Sequence, residues 1–172
     1  METAQAIFKM GEDLFVDRKF KEAEKYFLQA IAIKPDTLWL IYLGETYAYL
    51  AQWQSMEDAY NKAIQLEGTT EIFNTDLAWC YFGRGRSKNI QHKYQSAIED
   101  FEQALKVGGD AFINGPGGAG YAPTDIYLFE ARAYEALNDY RNAIKCYQLF
   151  VAYTGKHYAV ESDIDRLEKL VD

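Results

Sequence analysis

KFKEAEKYFLQAI (residues 19–31) decides how this chain is read, because three later stretches repeat its pattern: QWQSMEDAYNKAI (52–64), KYQSAIEDFEQAL (93–105) and DYRNAIKCYQLFV (139–151). Each carries an aromatic (Phe20, Trp53, Tyr94, Tyr140), a small or flexible residue three positions on (Ala23, Met56, Ala97, Ala143) and a second aromatic four further (Phe27, Tyr60, Phe101, Tyr147). A fourth row is Ala30, Ala63, Ala104 and Phe150, and nine residues before each first aromatic stands Gly11, Gly44, Gly85 or Ala131. All five rows step together by 33, 41 and 46 residues. Such a period marks an architecture built from stacked units.

Within each stretch the apolar residues recur at steps of three and four, as in Phe20, Ala23, Phe27, Ala30 and Ile31. That is the stripe of a half-buried helix. The segments ahead of them show the same spacing, so each unit is a pair of helices. Glycine inside a helix costs about 1 kcal/mol relative to alanine. Gly11, Gly44 and Gly85 therefore predict points where two helices approach closely enough to need no side chain. A two-helix unit leaves an apolar face bare, which only stacking on the next unit covers.

Composition fits such a scaffold. The 172 residues are 49% hydrophobic and 26% charged, with no apolar run long enough to span a bilayer. The start, METAQAIFKMGEDLF, lacks the basic region and apolar run of a secretory signal, so a cytoplasmic location is expected. A net charge of −8 repels phosphate backbones and disfavours nucleic acid as a partner. Cys80 and Cys146, without CxxC or histidine companions, read as reduced core residues. His92 and His157 lie in different units, far from metal-ligand spacing, and Glu22, Glu24, Glu99 and Asp100 read as solvated helix charge. No catalytic, metal or cofactor residues are assigned.

At these positions the sequence resembles the tetratricopeptide repeat family. Leu43-Gly44-x-x-Tyr47 followed by Trp53 is similar to its L-G-x-x-Y pattern, and Ala23-x-x-x-Phe27 with Pro35 to its A-x-x-x-F…P pattern. Ile7, Leu40, Tyr81 and Tyr127 stand where the family often has Trp, and Met56 replaces an Ala. The resemblance implies an all-α, right-handed α-solenoid of four helix-turn-helix units near 4–36, 37–70, 78–111 and 124–157. KHYAVESDIDRLEKLVD follows, with Val160, Ile164, Leu167 and Val171 on one side, and reads as a capping helix over 158–171. The alternative is a stripe offered to a partner or a dimer mate.

NGPGGAG (114–120) falls in the surplus of twelve residues between the third and fourth units. A phosphate loop would need G-x-x-x-x-G-K-[ST] between a strand and a helix, and neither the lysine nor the strand is present. Residues 108–123 are therefore expected to be a linker between repeats, or a loop folding over the groove, with Thr124 capping the next helix.

The resemblance places a peptide groove on the first helices of the units: Phe8, Glu12 and Phe15; Ile41, Tyr42, Glu45 and Tyr49; Phe82, Arg86 and Asn89; Leu128, Arg132 and Glu135. An aromatic trough with Glu12 and Glu45 at one end and Arg86 and Arg132 at the other suits an extended or helical peptide of fixed direction. The carboxylate clamp that some members use for heat-shock chaperone tails is missing, since Phe8, Glu12, Tyr42, Trp79 and Gly83 occupy its positions. The expected role is a non-catalytic adaptor, scaffold or assembly factor holding a segment of another protein. The alternatives are a small chaperone of a secretion or assembly system, a small-ligand or enzymatic protein with a pocket near the glycine-rich segment, and self-association through the open solenoid.

Overall fold

The computed structural model describes residues 3–66, 74–116 and 121–171. They form α1 (Ala4–Val16), α2 (Phe20–Ile33), α3 (Thr37–Tyr49), α4 (Trp53–Gln65), α5 (Asn74–Ile90), α6 (Tyr94–Ile113), α7 (Ile126–Ala136), α8 (Tyr140–Thr154) and α9 (Glu161–Val171), with short 3₁₀ turns at Pro123–Asp125 and His157–Ala159. Side chains close several helix starts. Thr3 accepts from the Ala6 N–H, Asp36 from Trp39 and Asp139 from Asn142, each satisfying a donor that the first turn leaves open.

The helices pair as four antiparallel hairpins whose corners share one geometry. Arg18, Ala51, His92 and Asn138, each two residues before the first repeat aromatic, all have φ between 54° and 62°. The next residue's N–H reaches back five positions: Lys19 to Leu14, Gln52 to Tyr47, Lys93 to Lys88 and Asp139 to Tyr134. These are Schellman ends, which usually recruit glycine because a Cβ opposes the left-handed conformation. Here four different residues take it, Asn being the favoured one. The corner is imposed by the packing of its two helices.

That packing runs through the repeat rows. Ala23, Phe27, Ala30, Met56, Tyr60, Ala63, Ala97, Phe101, Ala104, Ala143, Tyr147 and Phe150 are all buried. Glycine has the role the pattern predicts: a Cβ on Gly11 would stand 2.8 Å from the Phe27 ring, and one on Gly44 would stand 2.8 Å from the Tyr60 ring. Tyr60 is pinched from both sides, because a Cβ on Gly83 of α5 would overlap its ring as well. Helix propensity alone favours alanine at Gly83 by about 1 kcal/mol. The buried ring cannot yield, so Gly83→Ala is expected to lower stability by about 1–3 kcal/mol in urea unfolding, and a more stable variant would refute the close approach.

Successive first helices touch, α1 with α3, α3 with α5 and α5 with α7, while each second helix packs between its own partner and the next first helix. Successive second helices make no comparable contact among the described residues. The stack is thus tighter along α1, α3, α5 and α7, which line its concave side. At the end of the stack, α9 lays Ile164 and Leu167, and the residue just before it, Val160, into the same core as Tyr147 and Phe150 of α8. Its helix proper begins at Glu161, after the 3₁₀ turn.

The surplus before the fourth hairpin differs from the expected linker over 108–123. Residues 108–113 belong to α6, which kinks at Gly109 (φ 51°, ψ −148°) and continues for a further turn. Hydrophobic burial explains the turn: Phe112 and Ile113 enter the core, Phe112 edge-on to Trp79 at 5.3 Å between centroids. Gly108 permits the bend because a Cβ there would strike Ala78 and Phe112. Beyond it, Asp125 rather than Thr124 caps the approach to α7, accepting from the Ala122 N–H at 2.9 Å. Residues 117–120 of the glycine-rich stretch lie outside the described residues.

Candidate functional site: the concave face

Four of the thirteen residues expected in the groove are core residues. Phe8 is buried, stacked on Trp39 at 5.1 Å and edge-on to Tyr42 at 5.4 Å, and Phe82 is buried beside Phe101, Phe112 and Phe129. These two rings fill the space between neighbouring first helices and do not line an open trough. Glu45 and Arg86 are the other two. Their side chains are only 6% and 5% exposed, and Arg86 Nη1 donates to Glu45 Oε1 at 2.8 Å. The expected change of charge sign along the groove therefore does not run through them, because each neutralises the other.

The rest lie nearer solvent. Phe15, Ile41 and Tyr42 are half-buried and Tyr49 is exposed. Phe15 meets Tyr42 and Tyr49 edge-on at 5.6 and 5.7 Å, and Tyr49 stacks on Phe20 at 4.2 Å, so the first two hairpins present a continuous aromatic strip. Glu12 accepts from the Tyr42 hydroxyl at 3.1 Å and from Lys9 at 2.7 Å. Asn89 is committed to the scaffold, donating to the Phe129 carbonyl of α7 at 3.3 Å. Leu128 is half-buried. Glu135 accepts from Tyr147 and from Arg166 of α9, both at 2.6 Å, and so ties the capping helix to the fourth hairpin. Arg132 is exposed, and no salt bridge among the described residues uses it.

The centre of the face is the Glu45–Arg86 pair. Tyr60 reaches up from α4 and donates its hydroxyl to the same Glu45 oxygen that Arg86 holds. Burial first, then the Glu45 charge, pushes the Tyr60 hydroxyl well above its ordinary range, so it stays a donor. Aromatic rings surround the guanidinium: Tyr121 with its centroid 3.8 Å from Cζ, Phe82 at 5.6 Å and Phe129 at 5.9 Å. Tyr121 arrives from the segment between α6 and α7. Tyr121 thus brings a side chain of this segment onto the concave face. Beside the pair lies a pocket of about 260 Å³, lined by Ala48, Tyr49, Trp53 and Ile90 together with Glu45, Arg86 and Tyr121.

Around this centre the joint between the second and third hairpins is polar. Arg84 forks onto Asp100 at 2.6 and 2.9 Å and donates to Asn61 at 2.9 Å. Lys88 also reaches Asp100, at 2.8 Å. Ser87 donates to the Trp53 carbonyl, and Gln91 and Lys93 both hold Glu57. Asp100, expected to be solvated, is buried by these partners.

Other chemistry is sparse. Cys80 and Cys146 are free and buried, and His92 occupies a hairpin corner. Among the described residues no group of three or more His, Cys, Asp or Glu is placed to hold a metal ion, and no helix is long and apolar enough to cross a membrane. Glu130 of α7 is buried with no cationic partner among the described residues; burial raises its carboxyl to about 7, against a hydrogen bond from Cys146 that lowers it.

The tetratricopeptide repeat family model matches residues 18–37 and 124–157, which carry α2 and the α7–α8 hairpin. No curated protein sequence matches the chain. Solved structures do match in shape. A MamA fragment, residue 41 to the end, from Desulfovibrio magneticus RS-1 is 15% identical with a TM-score of 0.78, covering 100% of this chain and 87% of its own. A tetratricopeptide repeat protein from Parabacteroides merdae ATCC 43184 is 14% identical with a TM-score of 0.70, over 98% of this chain and 59% of its own. A chain of the APC/C hetero-tetramer Cut9–Hcn1 is 17% identical with a TM-score of 0.78, over 96% of this chain and 30% of its own. At such identities the likeness is one of fold. Matched repeat segments, four hairpins stacked first helix against first helix, and the same architecture across these structures show that this chain carries tetratricopeptide repeats at residues 18–37 and 124–157 and has the fold of tetratricopeptide repeat proteins.

Proposed function

We propose that the chain is a non-catalytic interaction module that holds a polypeptide segment of a partner along its concave face. The observation that carries this reading is the strip of half-buried and exposed aromatics, Phe15, Tyr42 and Tyr49, running into the pocket beside Trp53 and Ile90. Aromatic anchors with few rotatable bonds lose little entropy on contact and dominate interface energies. Glu12 at one end and Arg132 at the other remain the charges that set direction, in place of the Glu45–Arg86 pair. A terminal carboxylate is a poor guest, since Gly83 is covered by the Tyr60 ring and Glu12 repels it.

The test places a photo-crosslinking amino acid at Tyr49 or Arg132 on the concave side, and at Leu28 or Leu149 on the second helices, in the native cell. Adducts of one molecular weight from the concave positions alone are expected. Adducts from Leu28 and Leu149 with none from Tyr49 and Arg132 would reject the concave face as the site.

A further inference from the structure

The pocket at the α3–α5 junction is more specific than an apolar trough. Its walls are Ala48, Tyr49, Trp53 and Ile90, and its floor is the Glu45–Arg86 pair. An apolar cavity of about 150 Å³ accepts benzene, so the volume of about 260 Å³ here admits an aromatic ring and part of its backbone. The floor selects against ions. With Glu45 and Arg86 joined at 2.8 Å, an incoming lysine meets the arginine and an incoming carboxylate meets the glutamate, and neither gains net attraction.

Two further observations define what the floor does want. Arg86 Nε is itself buried and, among the described residues, has no acceptor, on a side chain that is 5% exposed and lines the pocket. Buried donors are nearly always satisfied, so an orphan calls for an acceptor from elsewhere. The Tyr121 ring, 3.8 Å from the guanidinium carbon, shows that this cation takes an aromatic face at close range.

Resting on the concave-face reading above, we propose that this pocket is a receptor for one aromatic side chain of the bound polypeptide, whose neighbouring backbone carbonyl accepts from the Arg86 guanidinium. The ring packs against Trp53 and Ile90, and the carbonyl supplies an acceptor without adding charge. The partner's segment is thereby specified as one with an uncharged aromatic residue near its middle.

Two-dimensional proton–nitrogen NMR of the intact chain tests it, titrating N-acetyl-phenylalaninamide against N-acetyl-alaninamide and reading the Trp53 indole and Arg86 Nε–H signals. The phenylalanine amide is expected to shift both saturably with roughly millimolar affinity, the alanine amide about tenfold more weakly or less. Ala48→Leu, which fills the pocket, and Ile90→Glu, which lines it with charge, should each abolish the shifts while melting as the parent does. Two independent variants guard against one failing to fold. No response at Trp53 and Arg86, equal responses to both amides, or responses retained in the folded variants would each overturn the proposal. If the concave crosslinks persist in that case, only the pocket assignment falls; if they too are missing, the wider reading falls with it.

Discussion

Arg86→Met is expected to lower the unfolding free energy by about 3–5 kcal/mol. The loss does not come from forfeiting attraction alone. Glu45 is left as a buried carboxylate with only the Tyr60 hydroxyl to solvate it, and Tyr121 loses the cation beneath its ring. A single domain holds about 5–15 kcal/mol in all, so the change consumes a large part of the margin. Glu45→Gln alone removes the charge but leaves Arg86 unpaired, and a similar penalty is expected. In the double variant Glu45→Gln/Arg86→Met neither group is stranded, and stability returns toward that of the parent. Urea unfolding of all four proteins closes the cycle; single losses that simply add in the double variant would show the two side chains to be uncoupled. Burial of both side chains is what makes the penalty large.

The second large effect is a pH dependence that runs opposite to the usual one for a carboxylate. Glu130 is buried with no basic group against it among the described residues. Facing it are the Cys146 thiol from α8, which hydrogen-bonds it, and Glu102 from α6, whose charge opposes its ionisation; Tyr127 and Tyr134 lie within a turn on α7. Burial holds its carboxyl to about 7, against 4.5 for an unperturbed one. Between those values the unfolded chain releases its proton first, so the folded state binds more protons and this group's contribution falls as pH rises. At 1.36 kcal/mol for each unit, the loss between pH 4.5 and 7 is about 3 kcal/mol, and it levels off above that. Glu130→Gln stays uncharged throughout and should flatten this part of the profile, standing about 1–3 kcal/mol above the parent at pH 8. Parallel profiles for parent and variant in urea unfolding from pH 4 to 9 would mean that Glu130 ionises normally.

The hairpins were legible because burial on one side of a helix leaves a periodic trace, and five such rows in step leave a strong one. Glycine was legible in the same way: Gly11, Gly44 and Gly85 fall in a row because each meets the second aromatic of its own unit. Gly83 breaks that row, since it clears the same Tyr60 from the next unit, and nothing local marks it. The corners were not legible at all. Their left-handed residues are Arg18, Ala51, His92 and Asn138, of which only the last has a side chain suited to the conformation. Helix packing sets the geometry, and the residue adapts.

On the concave face, family positions identified helices correctly but could not tell exposure from burial. Glu45 and Arg86 are 41 residues apart in sequence, and only the crossing of α3 and α5 shows that they meet. Tyr121 was missed for a related reason. Its one signal is an isolated aromatic downstream of a run of glycines, and periodicity has no purchase on a segment without a repeating backbone. Phe112 and Ile113 escaped similarly, since they lie past the point where the repeat spacing ends.

The bond chemistry at the middle joint has a geometric consequence. The first and second hairpins share one apolar cluster, the third, fourth and α9 share another, and a smaller one of Leu40, Met56, Tyr60, Ala63 and Cys80 crosses from the second hairpin to α5. Apolar burial of this kind is non-directional. The contacts of Arg84 with Asn61, and of Gln91 and Lys93 with Glu57, are directional and lose strength within a few tenths of an ångström and a few tens of degrees. At the α4–α5 joint hydrogen bonds therefore add direction to the apolar packing, so a guest spanning both halves meets a fixed offset there.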